Sequence, residues 1–330
     1  METPHFLLNQ EKLKQNYFEF DNLCKKHLKD YKIAYSVKTN SDKNIVKILS
    51  ELGSGFDISS EKEMELISKK SFAVFNGCCK KQHELNMAIK NNFIINVDSI
   101  SEMHKISKRK IGIRISLGKS KFGFEKEKIK QTIDFANSKN LKVNCLHFHF
   151  GTNLTLKKFE ENLKQVPNLI KDLELDYLDL GGGFPDEFQL KNMGIKLENY
   201  FELIEKYLEN FKGIFILEPG RNLVSDAFEL ITKVCVIKQK DDKNYAVLDA
   251  GINILQKITL SNFQFELIEK RGKSSKEFIL AGPLLFSNDT LGKIRGDIKE
   301  GDLIRIKNVG AYCYNLAWEI SYDKPKVYIK

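Results

Sequence analysis

The sequence predicts an α/β protein built as a (β/α)8 TIM-like barrel followed by a C-terminal all-β domain. Three observations carry this reading. Short apolar, β-branched runs alternate with helix-like segments over roughly the first two-thirds of the chain. Polar and reactive side chains stand just after those runs, where a barrel enzyme gathers its chemistry. After about residue 225 the apolar runs follow one another with few helices between them.

The barrel strands are expected at 33–37, 55–58, 72–75, 93–97, 111–115, 143–150, 176–180 and 214–217. Between them, segments such as 126–138, 156–173 and 197–211 repeat apolar residues three and four apart, the spacing of one helix face. Eight such units argue a closed barrel. The β-domain strands are expected at 228–237, 245–248, 263–268, 278–280, 303–306 and 326–329, with Phe6-Leu7-Leu8 offering one more from the N-terminus. The division is therefore 11–225 for the barrel, with 1–10 and 226–330 forming the β-domain. No repeat or low-complexity linker interrupts it.

Apolar content of 42% and charged content of 29% are those of a globular protein, and 330 residues can bury a large core. No apolar run approaches the roughly 18 residues that cross a membrane. Met1–His5 has neither a basic start nor a long apolar segment, so no secretory signal and a cytoplasmic location are expected. The net charge of +9 comes from lysines spread over every helix, and only six arginines occur. A nucleic-acid surface clusters basic residues with aromatics, so no nucleic-acid partner is expected. Six cysteines include no C-x-x-C pair and are read as reduced thiols, with no metal site.

The residues ending the runs are Lys38, Asp57 with Ser59, Asn76, Asp98, Arg114, His149, Gly181–Gly183 and Glu218. In Leu178-Asp179-Leu180-Gly181-Gly182-Gly183-Phe184-Pro185, three glycines allow close backbone approach and offer N–H groups to an anion. In Leu217-Glu218-Pro219-Gly220-Arg221, the arginine adds a fork-shaped phosphate ligand at the next strand end. Lys38 in Ala34-Tyr35-Ser36-Val37-Lys38-Thr39-Asn40 points to a nucleophilic amine in the barrel mouth. Taken alone, it reads more readily as a surface lysine. In His147-Phe148-His149-Phe150-Gly151-Thr152-Asn153, alternation puts both histidines on one strand face. His147 reads as a core histidine with no further metal ligand evident, His149 as a ring that stacks on a planar group, and Thr152 as a phosphate contact. Glu218 either holds a pyridine nitrogen protonated or pairs with Arg221. A lysine for an aldehyde, a stacking histidine, a carboxylate for a ring nitrogen and glycines plus arginine for a phosphate together describe pyridoxal 5′-phosphate. A nicotinamide cofactor calls for G-x-G-x-x-G after the first strand, and Lys38-Thr39-Asn40 offers none.

These motifs occur in one order with Thr3-Pro4-His5-Phe6-Leu7-Leu8, Gly53-Ser54-Gly55-Phe56-Asp57, Asn96-Val97-Asp98-Ser99, Lys121-Phe122-Gly123, Leu248-Asp249-Ala250-Gly251 and Gly310-Ala311-Tyr312. Over essentially its whole length the chain resembles the fold-type III, alanine racemase-like pyridoxal-phosphate decarboxylases of basic amino acids. That group includes ornithine, diaminopimelate and carboxynorspermidine decarboxylases. The resemblance implies α-decarboxylation of an amino acid by a head-to-tail homodimer with two active sites at its interface. It implies that Lys38 forms a Schiff base with the cofactor, His149 stacks on the ring and Glu218 binds its nitrogen. Thr152, Gly181, Gly182, Gly183, Gly220, Arg221 and Tyr312 would hold the cofactor's phosphate end, with Asp57, Glu63 and Arg114 supporting the ring. Lys121 and Asp289 would pair across the dimer interface.

One segment departs from the family. Its β-domain loop usually carries a cysteine, often followed by an acidic residue, two positions after Gly-Pro. Here Gly282-Pro283-Leu284-Leu285-Phe286-Ser287-Asn288-Asp289 places Leu285 and Phe286 at those positions. The resemblance associates the cysteine with returning a proton after carbon dioxide leaves, so that role would pass to Lys38, His149, water or Cys313. The apolar pair points to a less polar or modified substrate. Two other readings stand beside the decarboxylase: an amino-acid racemase or epimerase on the same barrel, and a non-catalytic cofactor-binding homologue that pairs with a true decarboxylase.

Overall fold

A computed structural model describes residues 1–256, 262–269 and 276–330. It contains two units, one of Lys14–Asn222 and one of Met1–Leu13 with Leu223–Lys330. The first strand, β1 (His5–Leu8), belongs to the second unit.

The first unit is the barrel. Its strands are β2 (Tyr31–Ser36), β3 (Gly55–Ile58), β4 (Ala73–Phe75), β5 (Ile94–Val97), β6 (Arg109–Ser116), β8 (Leu141–Phe148), β9 (Tyr177–Asp179) and β10 (Ile214–Leu217). All pair in parallel, and the β10–β2 and β5–β6 pairings close the ring. A two-residue strand, β7 (Phe124–Glu125), pairs in parallel with the end of β6. The eight predicted runs thus form the eight barrel strands, with ends moved by two residues at most. Ala34, Val74, Cys145 and Ile216, one from each of four strands, pack together inside, with Phe72, Ile94 and Tyr177 against them. This is a filled barrel core rather than a pore.

Several helices after these strands start on a side-chain cap. Asp42, Ser60, Ser99, Thr155 and Asp186 each accept a backbone N–H from the first turn, which satisfies one otherwise orphaned donor. The helix predicted over 156–173 is two helices, Leu156–Leu163 and Val166–Ile170. Pro167 lies in the first turn of the second, where its missing N–H is tolerated; inside a continuous helix it would remove a hydrogen bond and clash. A cavity of about 620 Å³ opens by Leu175, Tyr207, Phe211 and Gly213, at the end of the barrel where β9 and β10 begin.

The second unit is a sheet of β11 (Phe228–Lys240), β12 (Lys243–Leu248), β13 (Gln264–Leu267), β14 (Glu277–Ala281), β15 (Thr290–Arg295), β16 (Leu303–Lys307) and β17 (Lys326–Ile329), together with β1. β1 lies between β11 and β17, so the N-terminal residues do supply a strand. Strand β15 has no counterpart in the sequence reading. Its Thr-Leu-Gly-Lys-Ile-Arg puts a glycine and two cations among two apolar residues, and among the described residues it pairs only with β14, as an edge. Among the described residues, no helix is long and apolar enough to cross a membrane.

Candidate active site

Strand β2 stops at Ser36, and the single 3₁₀ turn Val37–Thr39 carries Lys38 at the mouth of the barrel. The Lys38 amine pairs with the buried carboxylate of Asp57, on β3. Asp57 is held from two further sides: Ser36 Oγ donates to its Oδ2 at 2.7 Å, and Asn76 Nδ2 donates to its Oδ1 at 2.7 Å. The same Asn76 amide donates to Glu218 Oε1 at 2.6 Å, bridging the carboxylates of β3 and the β10 end. Asn96 Nδ2 in turn donates to Asn76 Oδ1 at 2.9 Å and to Asp179 Oδ2 at 3.2 Å. Polar groups from six strand ends are therefore one connected, largely buried network.

Glu218 is fully enclosed. Burial opposes its ionisation, but His147 and the charge of Lys38 outweigh burial and hold its carboxyl at about 2. Asp179, its close neighbour, is pushed the other way by burial and by Glu218's negative charge. His147 is 2% exposed, with Nε2 3.6 Å from Glu218 Oε2. The fold thus gives His147 the acidic neighbours the sequence reading did not find. His149 follows the last residue of β8 and is exposed, although many protein atoms surround it. That crowding, with the Lys38 charge, lowers its pKa to about 4 and leaves the imidazole neutral at ordinary pH. A cavity of about 280 Å³ opens beside His149, bounded by Arg114, Ser116, Phe122 and Lys158.

Gly181 and Gly183 take left-handed backbone, with φ 65° and 91°. A Cβ at Gly181, Gly182 or Gly183 would strike the carbonyl oxygen of Phe148, Glu218 or Gly151 respectively. The sequence reading gave these glycines to the approach of a bound group. Their size is also required by the neighbouring backbone, which packs against them. Gly181 N–H donates to Asp179 Oδ1 at 2.9 Å, while the N–H groups of Gly182 and Gly183 have no acceptor among the described residues. Gly220 packs against Thr39, and Arg221 opens the short helix after β10. Thr152 is exposed in the loop after β8.

Glu63 accepts from Ser59 N at 2.6 Å and Ser59 Oγ at 3.0 Å, which makes it a brace of the β3 loop. Arg114 lays its guanidinium 4.4 Å over the Phe122 ring, 4.0 Å from Asp98, and Lys121 sits 5.1 Å from the same ring. Two buried residues with no predicted role complete this side. Lys80 donates to Asn96 O at 2.9 Å and to Glu102 Oε2 at 3.0 Å, tying the β4 and β5 loops together.

The remaining predicted residues lie in the second unit. Tyr312 has left-handed backbone, φ 61°. Leu285 is fully exposed and Phe286 partly so, its ring 6.2 Å from Trp318. Asp289 is turned inward, 3% exposed, and accepts from Leu284 N and Ile252 N at 2.8 Å each. Asp289 therefore fixes the loop that carries Leu285 and Phe286, and it presents no exposed carboxylate to a Lys121 across an interface. Cys313, a candidate proton donor by sequence, is fully buried with its thiol 3.7 Å from Ala311 O, so that role is withdrawn.

A family model described as pyridoxal-dependent decarboxylase, pyridoxal binding domain, matches residues 19–225. A diaminopimelate decarboxylase of Aquifex aeolicus is 27% identical, over 96% of this chain and 83% of its own length. That of Helicobacter pylori is 29% identical, over 98% of this chain and 89% of its own. A crystal structure of diaminopimelate decarboxylase from Helicobacter pylori, complexed with L-lysine, superposes with a TM-score of 0.90 at 28% identity, covering all of this chain and 91% of that one.

Proposed function

The chain belongs to the pyridoxal-dependent decarboxylases, and on that premise we propose that it removes the α-carboxylate of an amino acid less polar at its side-chain end than a simple diamino acid. The observation that carries the reading is the buried network joining Lys38, Asp57, Asn76 and Glu218 at the C-terminal ends of the barrel strands. The residues fit pyridoxal phosphate in kind. Lys38 brings an amine, His149 an open ring face, Glu218 a buried charge, and Gly182, Gly183 and Arg221 donors for a phosphate.

When bound, the cofactor supplies an electron sink for the pair left behind as carbon dioxide departs. This chain's residues do the rest. Asp57 pairs with the Lys38 amine and orients it at the barrel mouth. Glu218, ionised at any working pH, offers a fixed negative charge to the ring nitrogen. Neutral His149 offers a stacking face without adding a competing positive charge. Lys38 remains as a protein group able to deliver a proton at the mouth.

The substrate preference rests on Leu285 and Phe286, which present apolar surface where the resemblance calls for a thiol and an acid. We further propose that two copies pair head to tail, each loop 284–289 serving the other copy's barrel mouth. The test is carbon dioxide release from a panel containing diaminopimelate, lysine, ornithine and amino acids with apolar or conjugated side chains. Release fastest from the diamino acids contradicts the substrate assignment. Release from none contradicts the decarboxylase reading.

A further inference from the structure

Behind Glu218 lie two titratable side chains that the reading above does not use. His147, next to last in β8, has neither ring nitrogen in a hydrogen bond. Asp179 ends β9 with no exposure at all. One nitrogen or oxygen atom from each of His147, Asp179 and Glu218 lies within 4.8 Å of the others. Two carboxylates this close and this buried cannot both ionise cheaply, and one imidazole can neutralise only one of them. The hydrogen bonds place the difference. Glu218 Oε1 receives the Asn76 amide, and its Oε2 faces His147 Nε2. Asp179 receives Gly181 N–H and Asn96 Nδ2, two neutral donors, on its two oxygens, and the His147 ring near it is shared with Glu218.

We propose that Asp179 and His147 are positioning residues for Glu218: Asp179 as a neutral acid sharing its proton with Glu218, and His147 as the ring facing Glu218 Oε2, so that one fixed negative charge faces the barrel mouth. The proposal rests on the reading of Glu218 as the partner of the ring nitrogen. The groups facing this unit agree with it. Lys38 approaches Glu218 from the mouth and favours its charge, whereas Asp57 and Glu218 both face Asp179 and oppose a charge there. Cys145, below on β8, is buried and its thiol is pushed upward, so it adds no charge.

The test needs no variant to begin. Full-length wild-type protein is labelled with carbon-13 at aspartate side-chain carboxyls and titrated from about pH 6 to about pH 8.5, with and without pyridoxal phosphate. One aspartate resonance should stay at the protonated position throughout, and Asp179→Asn should remove it. A spectrum with every aspartate ionised at about pH 7 overturns the proposal. In the loaded protein, Asp179→Ala should move the pH midpoint of the cofactor's absorbance by about one unit or more, and Asp179→Asn, a neutral isostere, should restore it. A midpoint unmoved in Asp179→Ala, even with weaker cofactor binding, marks a merely structural residue and overturns the proposal. Glu218→Gln separates the two readings: an unmoved midpoint there overturns Glu218's own role, whatever the aspartate resonance shows.

Discussion

Replacing Asn76 with leucine removes the amide that ties two buried carboxylates together. Asn76 Nδ2 donates to Asp57 at 2.7 Å and to Glu218 at 2.6 Å, and its Oδ1 accepts from Asn96. A hydrogen bond to a charged oxygen contributes about 1.5–3 kcal/mol, so two amount to about 3–6 kcal/mol. The leucine returns about 1–2 kcal/mol as buried apolar surface. A net loss of about 1–5 kcal/mol is expected, a large share of the roughly 5–15 kcal/mol by which a domain is stable. Denaturant unfolding of the cofactor-free full chain, followed by circular dichroism, reads this as a lower midpoint at constant slope. Pyridoxal phosphate should also bind about tenfold more weakly, because both carboxylates lose their orientation. Asn76→Asp adds a third buried carboxylate whose folded pKa is raised. Its penalty must therefore grow as pH rises above the unfolded value of about 3.9. An Asn76→Leu protein within about 0.5 kcal/mol of wild type, binding cofactor within about twofold, refutes the bridging role.

Other expectations are more local. Lys38→Ala should abolish the absorbance band of lysine-bound cofactor while leaving the fold intact by circular dichroism; a retained band contradicts the assignment of Lys38. In cofactor-free protein, the His149 ring should titrate near pH 4 by NMR, and Lys38→Met should raise that value by removing one of the charges that depress it. Because the folded value is depressed, His149 contributes stability that is fully present above its ordinary 6.5 and lost as pH falls towards about 4. The stability of His149→Gln should accordingly fall less across that window, and an equal fall counts against the crowding described. Asp289→Ala leaves the N–H groups of Leu284 and Ile252 without their acceptor, so faster amide exchange at those two residues is expected. Leu285→Lys should weaken self-association in sedimentation, since Leu285 is fully exposed in one copy; an unchanged oligomer removes this loop from the interface.

The barrel was legible because each of its strands is a short apolar run bounded by turns, and the strand-end motifs sit at fixed offsets from those runs. Lys38, His149 and Glu218 could be named for the same reason. Asn76 and Asp98 were visible as polar strand ends, but nothing in sequence says that the Asn76 amide spans from Asp57 to Glu218, which lies 142 residues further on. Asn96 and Asp179 were harder still. Strands buried on both faces show no alternation, so the side that points inward cannot be read from them. The glycines were found for a reason that proved incomplete, since the carbonyls they avoid belong to neighbouring strand ends. Asp289 shows the converse limit: the motif located it, and only the loop's hydrogen bonds show that its carboxylate faces inward.

The central claim is decarboxylation by this chain's own barrel site. Its most direct measurement is carbon dioxide release, with the matching amine, from the purified cofactor-loaded protein offered a panel of amino acids. At least one substrate should release carbon dioxide and amine in equal amounts, and Lys38→Ala should abolish both. A protein that binds pyridoxal phosphate through Lys38 yet releases carbon dioxide from none of them contradicts the account.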